Sequence, residues 1–135
     1  MNREANQPQG ELLLRTSAMP ADTNPNGDIF GGWIMSQMDI GGAILAKEIA
    51  RGRIVTVAVD SMKFLKPVKV GDVVCCYGAV ERIGTTSIRL QLEVWVRPIL
   101  RETEDESPRF KVTEAAFTFV AIDNEGKKRP VPKNN

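Results

Sequence analysis

At 135 residues, with 42% hydrophobic and 26% charged side chains, the chain is long enough to bury one core, short for two, and too apolar for a disordered segment. Its 18 basic and 17 acidic residues leave a net charge of +1, which gives no general attraction for nucleic acid or an anionic membrane. It contains no histidine, which removes Ser-His-Asp and Cys-His nucleophiles, the usual histidine-ligated zinc centres and any imidazole general base.

In chain order, residues 1–10 carry Pro8, Gly10 and several amides and predict a flexible N-terminus. Their polarity does not match a secretory signal, and no apolar run reaches the roughly 20 residues needed to span a bilayer. The expected location is therefore cytoplasmic, without membrane insertion. Residues 11–18 predict a first strand, which Met19-Pro20 ends because proline cannot donate to a ladder. Asn24-Pro25 and Asn26-Gly27 are two successive turn signals.

Residues 31–50 predict the one long helix. At about 100° per residue, Ile34, Met38, Gly42, Leu45 and Ile49 fall within a narrow arc. Asp39 lies about 110° from the centre of that stripe, on the flank where a helix meets a neighbouring surface. Gly41 and Gly42 each cost about 1 kcal/mol in a helix interior, so they predict a sheet or a second helix packed close against the backbone. Asp28 is placed to cap the helix start. Arg51-Gly52-Arg53 predicts its end, with cations at the negative pole and glycine past it.

Four more strands follow. Residues 54–59 are β-branched and run into an extended stretch broken by Pro67; Gly71-Asp72 turns into a strand over 73–81. There Cys75 and Cys76 project to opposite faces, which suits packing and neither a disulfide nor a metal site. In residues 86–96, Ile88, Leu90, Leu92, Val94 and Val96 alternate with Arg89, Gln91, Glu93 and Trp95, predicting a half-covered strand. A loop at 101–108, a last strand at 110–122 and a turn at 123–126 lead to a basic tail, residues 127–135, so residues 11–126 read as one domain. One helix cannot cover both faces of such a sheet, so a face or edge should be buried against another copy.

Residues 12–20, the run Asp22-Thr23-Asn24-x-x-Gly27-Asp28-Ile29-Phe30-Gly31-Gly32-Trp33-Ile34-Met35 with Asp39, and Phe64-x-x-Pro67-x-x-x-Gly71-Asp72 resemble the hotdog-fold acyl-CoA thioesterases, in their small bacterial YciA-like group. The similarity spans about residues 11 to 132 and keeps the motifs in family order. It implies an α+β hotdog fold, one long central helix wrapped by an antiparallel β-sheet. It also implies homodimers that join two sheets, a homohexamer built as a trimer of dimers, and a role in fatty acid metabolism. The implied reaction hydrolyses acyl-CoA to free carboxylic acid and CoA between two subunits, without metal or redox cofactor. By position, Asp39 is the implied catalytic carboxylate and Asn24 the amide supplied by the other subunit.

The chemistry agrees with that implication. A thiolate leaves without much help from an acid, so thioester hydrolysis needs only a polarised carbonyl and an activated water or direct nucleophile. The first helical turn, Gly31-Gly32-Trp33, offers backbone N–H groups, a positive dipole end and close approach at glycine, hence an oxyanion site. Asp39 lies about 12 Å from that turn along its own helix, a gap that the partner subunit implied by the resemblance can close. Asp39 can act as general base or attack to form a mixed anhydride; its bland competitor is an ion pair with an arginine at an interface. Asn24 before Pro25 competes with simple turn initiation.

Candidate partners for the CoA phosphates are Arg82, Thr85, Thr86, Ser87, Arg89, Lys127, Lys128 and Arg129. Trp33, Met35 and Met38 are candidates for an acyl tunnel, with core packing as the alternative. A noncatalytic acyl-CoA-binding hotdog module is the competing function. A hydratase, which usually pairs Asp with His, fits poorly in a chain without histidine.

Overall fold

The computed structural model describes residues 7–98 and 109–133; the loop expected at 101–108 and the outer parts of both expected terminal segments lie outside the described residues. The elements are β1 (Glu11–Ser17), a 3₁₀ turn (Pro20–Asp22), α1 (Gly31–Ala50), β2 (Ile54–Phe64), β3 (Val73–Ile83), β4 (Ser87–Arg97) and β5 (Phe110–Ala121). All neighbouring strands run antiparallel, in the order β1-β3-β4-β5-β2. Among the described residues no helix is long and apolar enough to cross a membrane.

The helix lies across one face of the sheet and touches all five strands. Its buried ladder runs Ile34, Met38, Gly42, Ala46, Ala50, so the far half differs from the expected stripe through Leu45 and Ile49. Alanine lets the backbone settle closer to the sheet, and Leu45 and Ile49 pack at the rim of the core. Opposite stand Leu90, Leu92, Phe117 and Phe119, each at most 1% exposed. Full burial of such a side chain contributes about 2 kcal/mol.

Both mid-helix glycines face this sheet, as expected. A Cβ on Gly41 would stand 3.1 Å from Cys76 Sγ; one on Gly42 would stand 2.8 Å from Leu92 Cδ1 and 3.0 Å from Phe119 Cζ. Gly42→Ala is therefore expected to destabilise by about 1–3 kcal/mol through overpacking. Gly32, where an added Cβ meets nothing within 4 Å, should accept alanine with a gain of up to about 1 kcal/mol. Urea titration of the two variants beside the wild type checks the contrast.

Three local expectations are corrected. Arg51 itself takes the left-handed cap conformation (φ 56°), while Gly52 leaves room for the Arg129 side chain, whose Nη2 would stand 2.6 Å from an added Cβ. The helix N-cap is Phe30, with no side-chain cap, because Asp28 is drawn to Lys69 Nζ at 2.8 Å. The outer face of β4 is covered at its far half: Glu93 and Trp95 are 4% and 2% exposed. The Trp95 indole N–H and the Gln9 backbone N–H both donate to Glu93 Oε1, at 2.8 and 3.2 Å, and the Arg109 guanidinium lies 6.0 Å above the Trp95 ring. Residues 9 and 10 thus lie against the sheet, where a Cβ on Gly10 would fall 2.2 Å from Gly78 O.

The cysteines are buried on opposite faces of β3. Arg15 Nε donates to Cys75 Sγ at 3.4 Å, and burial, then the neighbouring Cys75, pushes the Cys76 thiol up to about 12. Cys76 should stay unlabelled by a maleimide at pH 8 and react only on unfolding, as peptide mass spectrometry would report.

β2 is an edge strand, with Val55, Val57 and Val59 exposed. It carries bulges between Thr56 and Ala58 and between Asp60 and Lys63; at the second, Ser61 adopts φ 61°.

Candidate active site

The segment before α1 folds as a tight loop closed by a Thr23–Ile29 bridge. Asn24 is its hub. The Asn24 side-chain oxygen accepts the backbone N–H of Asn26 (2.9 Å) and Asp28 (3.1 Å), and the Asn24 N–H donates to the Asp28 carbonyl at 2.7 Å. Gly27 supplies the positive φ (87°) that the turn demands. The loop is tied down by Ile29 N–H donating to Val68 O (2.9 Å) and by the Lys69–Asp28 pair. With its oxygen occupied by two donors, Asn24 keeps an amide NH₂ that makes no hydrogen bond among the described residues. Turn formation and function are therefore compatible: the oxygen builds the loop and the nitrogen is left for other use.

At the helix start, Trp33 N–H is bonded to Phe30 O at 3.1 Å, and Ile34 N–H reaches the same carbonyl at 3.4 Å. The N–H groups of Gly31 and Gly32 find no acceptor among the described residues. Of the three expected donors, two are open and Trp33 is engaged.

Asp39 is half-buried on the helix flank and makes no ion pair among the described residues. Thr56 on β2 donates its hydroxyl to Asp39 Oδ1 at 2.6 Å, which leaves Oδ2 as the available oxygen. Sequence reasoning missed Thr56, because in the β-branched run Ile54–Val59 it is indistinguishable from a packing residue. Asp39 stands about 12 Å along the axis from Gly31, so a single chain does not join carboxylate and first turn.

The expected CoA-binding residues divide. Thr85 and Thr86 lie in the β3–β4 turn and Ser87 opens β4, and residues 127–131 return beside them: Val131 N–H donates to Thr85 O (2.8 Å), Arg129 N–H to Ala121 O (3.0 Å), and Lys128 bridges Ile122. Lys127 N–H and Glu125 N–H both donate to Asp123 Oδ1, holding that carboxyl below the usual range. Arg89 is committed to Asp60 (2.8 Å) and Glu81 (3.3 Å), and Arg129 donates to the carbonyls of Ile122 and Pro130. Arg82, opposite Arg89 across the ladder, has no ion pair among the described residues. A groove of about 760 Å³ runs between the last helical turn (Glu48, Arg51), the hairpin (Ile83, Thr85) and the returning tail (Val131, Lys133). It lies about 14 Å along the helix from Asp39, so it is a separate surface from the carboxylate and the first turn. Among the described residues no three His, Cys, Asp or Glu side chains are grouped as metal ligands.

The family model described as thioesterase superfamily matches residues 26–101, which include the helix and Asp39. The acyl-CoA thioester hydrolase YciA of Salmonella typhimurium is 65% identical over 127 residues, covering 94% of this chain and 94% of that protein. The hexameric thioesterase of Yersinia pestis superposes with a TM-score of 0.87 at 61% identity, over 95% of this chain and all of that one. A crystal structure described as a hexameric broad-specificity acyl-coenzyme A thioesterase gives a TM-score of 0.89 at 60% identity, over 99% of this chain and 89% of that one. The chain belongs to the thioesterase superfamily, within its YciA-like group of hotdog-fold acyl-CoA thioester hydrolases.

Proposed function

We propose that the protein hydrolyses acyl-CoA to a carboxylic acid and CoA in sites built between two copies of the chain. In each site, Asp39 of one subunit faces the first helical turn and Asn24 of the partner subunit. The observation that carries this reading is Asp39 itself: a carboxylate on the helix flank with no cation on it, oriented through one oxygen by Thr56.

The open N–H groups of Gly31 and Gly32, at the positive end of the helix, polarise the thioester carbonyl and take up charge as the tetrahedral intermediate forms. The NH₂ of Asn24 donates to the same oxygen or holds the attacking water. Asp39 Oδ2 removes a proton from that water or attacks the carbonyl directly; in both routes the thiolate leaves and needs no histidine. Every one of these steps is carried by side chains and backbone of the protein, so the reaction requires no metal or redox cofactor.

Two copies come together along the β2 edge, whose exposed valines and free ladder favour continuation by a second sheet. Three such dimers complete a hexamer, the size named for the similar Yersinia pestis thioesterase. The hairpin at 84–87, Arg82 and the returning Lys127 and Lys128 meet the CoA phosphates, and the enzyme acts in the cytoplasm.

The test is release of free thiol from a panel of acyl-CoAs. Steady turnover supports hydrolysis. CoA binding without thiol release would favour the noncatalytic binding module instead.

A further inference from the structure

We propose that Phe64 sets how wide an acyl group can be beside the reacting carbonyl, an inference that rests on the thioester-hydrolase reading of the helix start. In β2, Asp60 pairs with Ala116 and Lys63 with Glu114, so Ser61 and Met62 together stand opposite Ala115 alone. Side chains alternate along a strand with a period of two, and one extra residue exchanges the faces of everything beyond it. Without the bulge, Phe64 would share a face with Asp60, away from the helix. With it, Phe64 pairs with Thr113, on the face that carries Phe117 and the core.

The bulge is maintained against a cost. Ser61 occupies φ 61°, a left-handed conformation that side-chain-bearing residues rarely adopt, and the site does not use glycine to relieve it. The bent segment is then pinned on both sides of the ring: the Thr113 hydroxyl donates to the Lys63 carbonyl, and Leu65 N–H donates to Val112 O at 2.7 Å.

What this strain delivers is an aromatic ring that is not a core residue. Phe64 remains 48% exposed. Its Cζ and Cε2 lie 3.0 and 3.2 Å from the point where a Cβ on Gly31 would stand, so glycine at 31 is matched to the ring. The ring thus lies against Gly31, the first of the two residues at the helix start whose N–H groups find no acceptor among the described residues. A strained bulge and a missing Cβ, observed independently, converge on the same ring. There it walls the space next to the bound carbonyl, excludes water from it and limits branching at the acyl carbon adjacent to it.

The experiment is steady-state thiol release by the full-length protein and by Phe64→Ala, Phe64→Leu and Phe64→Trp, with n-butyryl-, isobutyryl- and benzoyl-CoA as substrates. Removing the ring should raise kcat/KM for the branched and aromatic substrates relative to n-butyryl-CoA by about tenfold, and the tryptophan variant should lower that ratio. A ring that only supported the fold would change all three substrates by one common factor. Such uniform scaling in an active enzyme overturns the role of Phe64 and leaves hydrolysis standing; a wild type inactive on all three overturns both. Should the alanine variant fail to fold, the leucine and tryptophan variants carry the same comparison.

Discussion

Asp39→Asn is expected to lower kcat by about 10²–10⁴-fold, the usual worth of a positioned general base, with a far smaller change in KM. The fold should be untouched. Asparagine has nearly the same shape, its oxygen can still accept the Thr56 hydroxyl that now sits 2.6 Å from Asp39 Oδ1, and no ion pair among the described residues is broken. A direct nucleophile would lose at least as much, so the test holds for both routes. Thiol release measured beside a thermal melt separates the two ways of losing activity: the variant should melt with the wild type and turn over poorly. Normal turnover would return Asp39 to the surface carboxylates.

Asn24→Asp isolates the other half of the site. Aspartate can accept the same N–H groups from Asn26 and Asp28, so the loop should close as before and the melting temperature should hold. The variant has no NH₂ to donate, and it brings a negative charge to where the carbonyl oxygen gathers charge. A loss of about 10²–10³-fold in kcat is expected, as for removal of an oxyanion donor. Asn24→Ala should lose as much activity and stability as well, by about 1 kcal/mol, because two loop N–H groups then go without their acceptor. Comparing the two variants for kcat and for melting separates the donor role from the turn.

Much of this arrangement could be read from the sequence, for identifiable reasons. The long helix and β4 announce themselves through period, a 3.6-residue repeat in Gly31–Ala50 and alternation in Ser87–Arg97, and the other four strands through apolar or β-branched runs between turn signals. Gly41 and Gly42 disclosed a close neighbour, which the structure shows to be the sheet. What escaped depends on contacts between distant residues. The covering of β4 by Gln9 and Arg109, and the αL cap at Arg51, depend on packing that no local pattern records. Asp28 looked like a cap until Lys69, 41 residues away, claimed it. Thr56 and Phe64 belong to the same class: one is a β-branched residue among others, and the other owes its position to a bulge at Ser61.

The groove beside the returning tail shows the same limit. Thr85 and Lys133 are 48 positions apart in the chain, and only the antiparallel return of the strands and tail brings them to one surface. Arg89, attractive in the sequence as a phosphate partner, is held by Asp60 and Glu81, which together strengthen its protonated form.

The most direct test of a site shared between two chains is complementation. Asp39→Asn and Asn24→Asp should each be nearly inactive alone, yet a mixture unfolded and refolded together forms mixed dimers. In each mixed dimer one of the two sites contains neither substitution, so thiol release should recover to about one quarter of the wild-type rate. No recovery above the separate variants, from a mixture shown by mass spectrometry to contain mixed dimers, would contradict a site made by Asp39 of one subunit and Asn24 of the other.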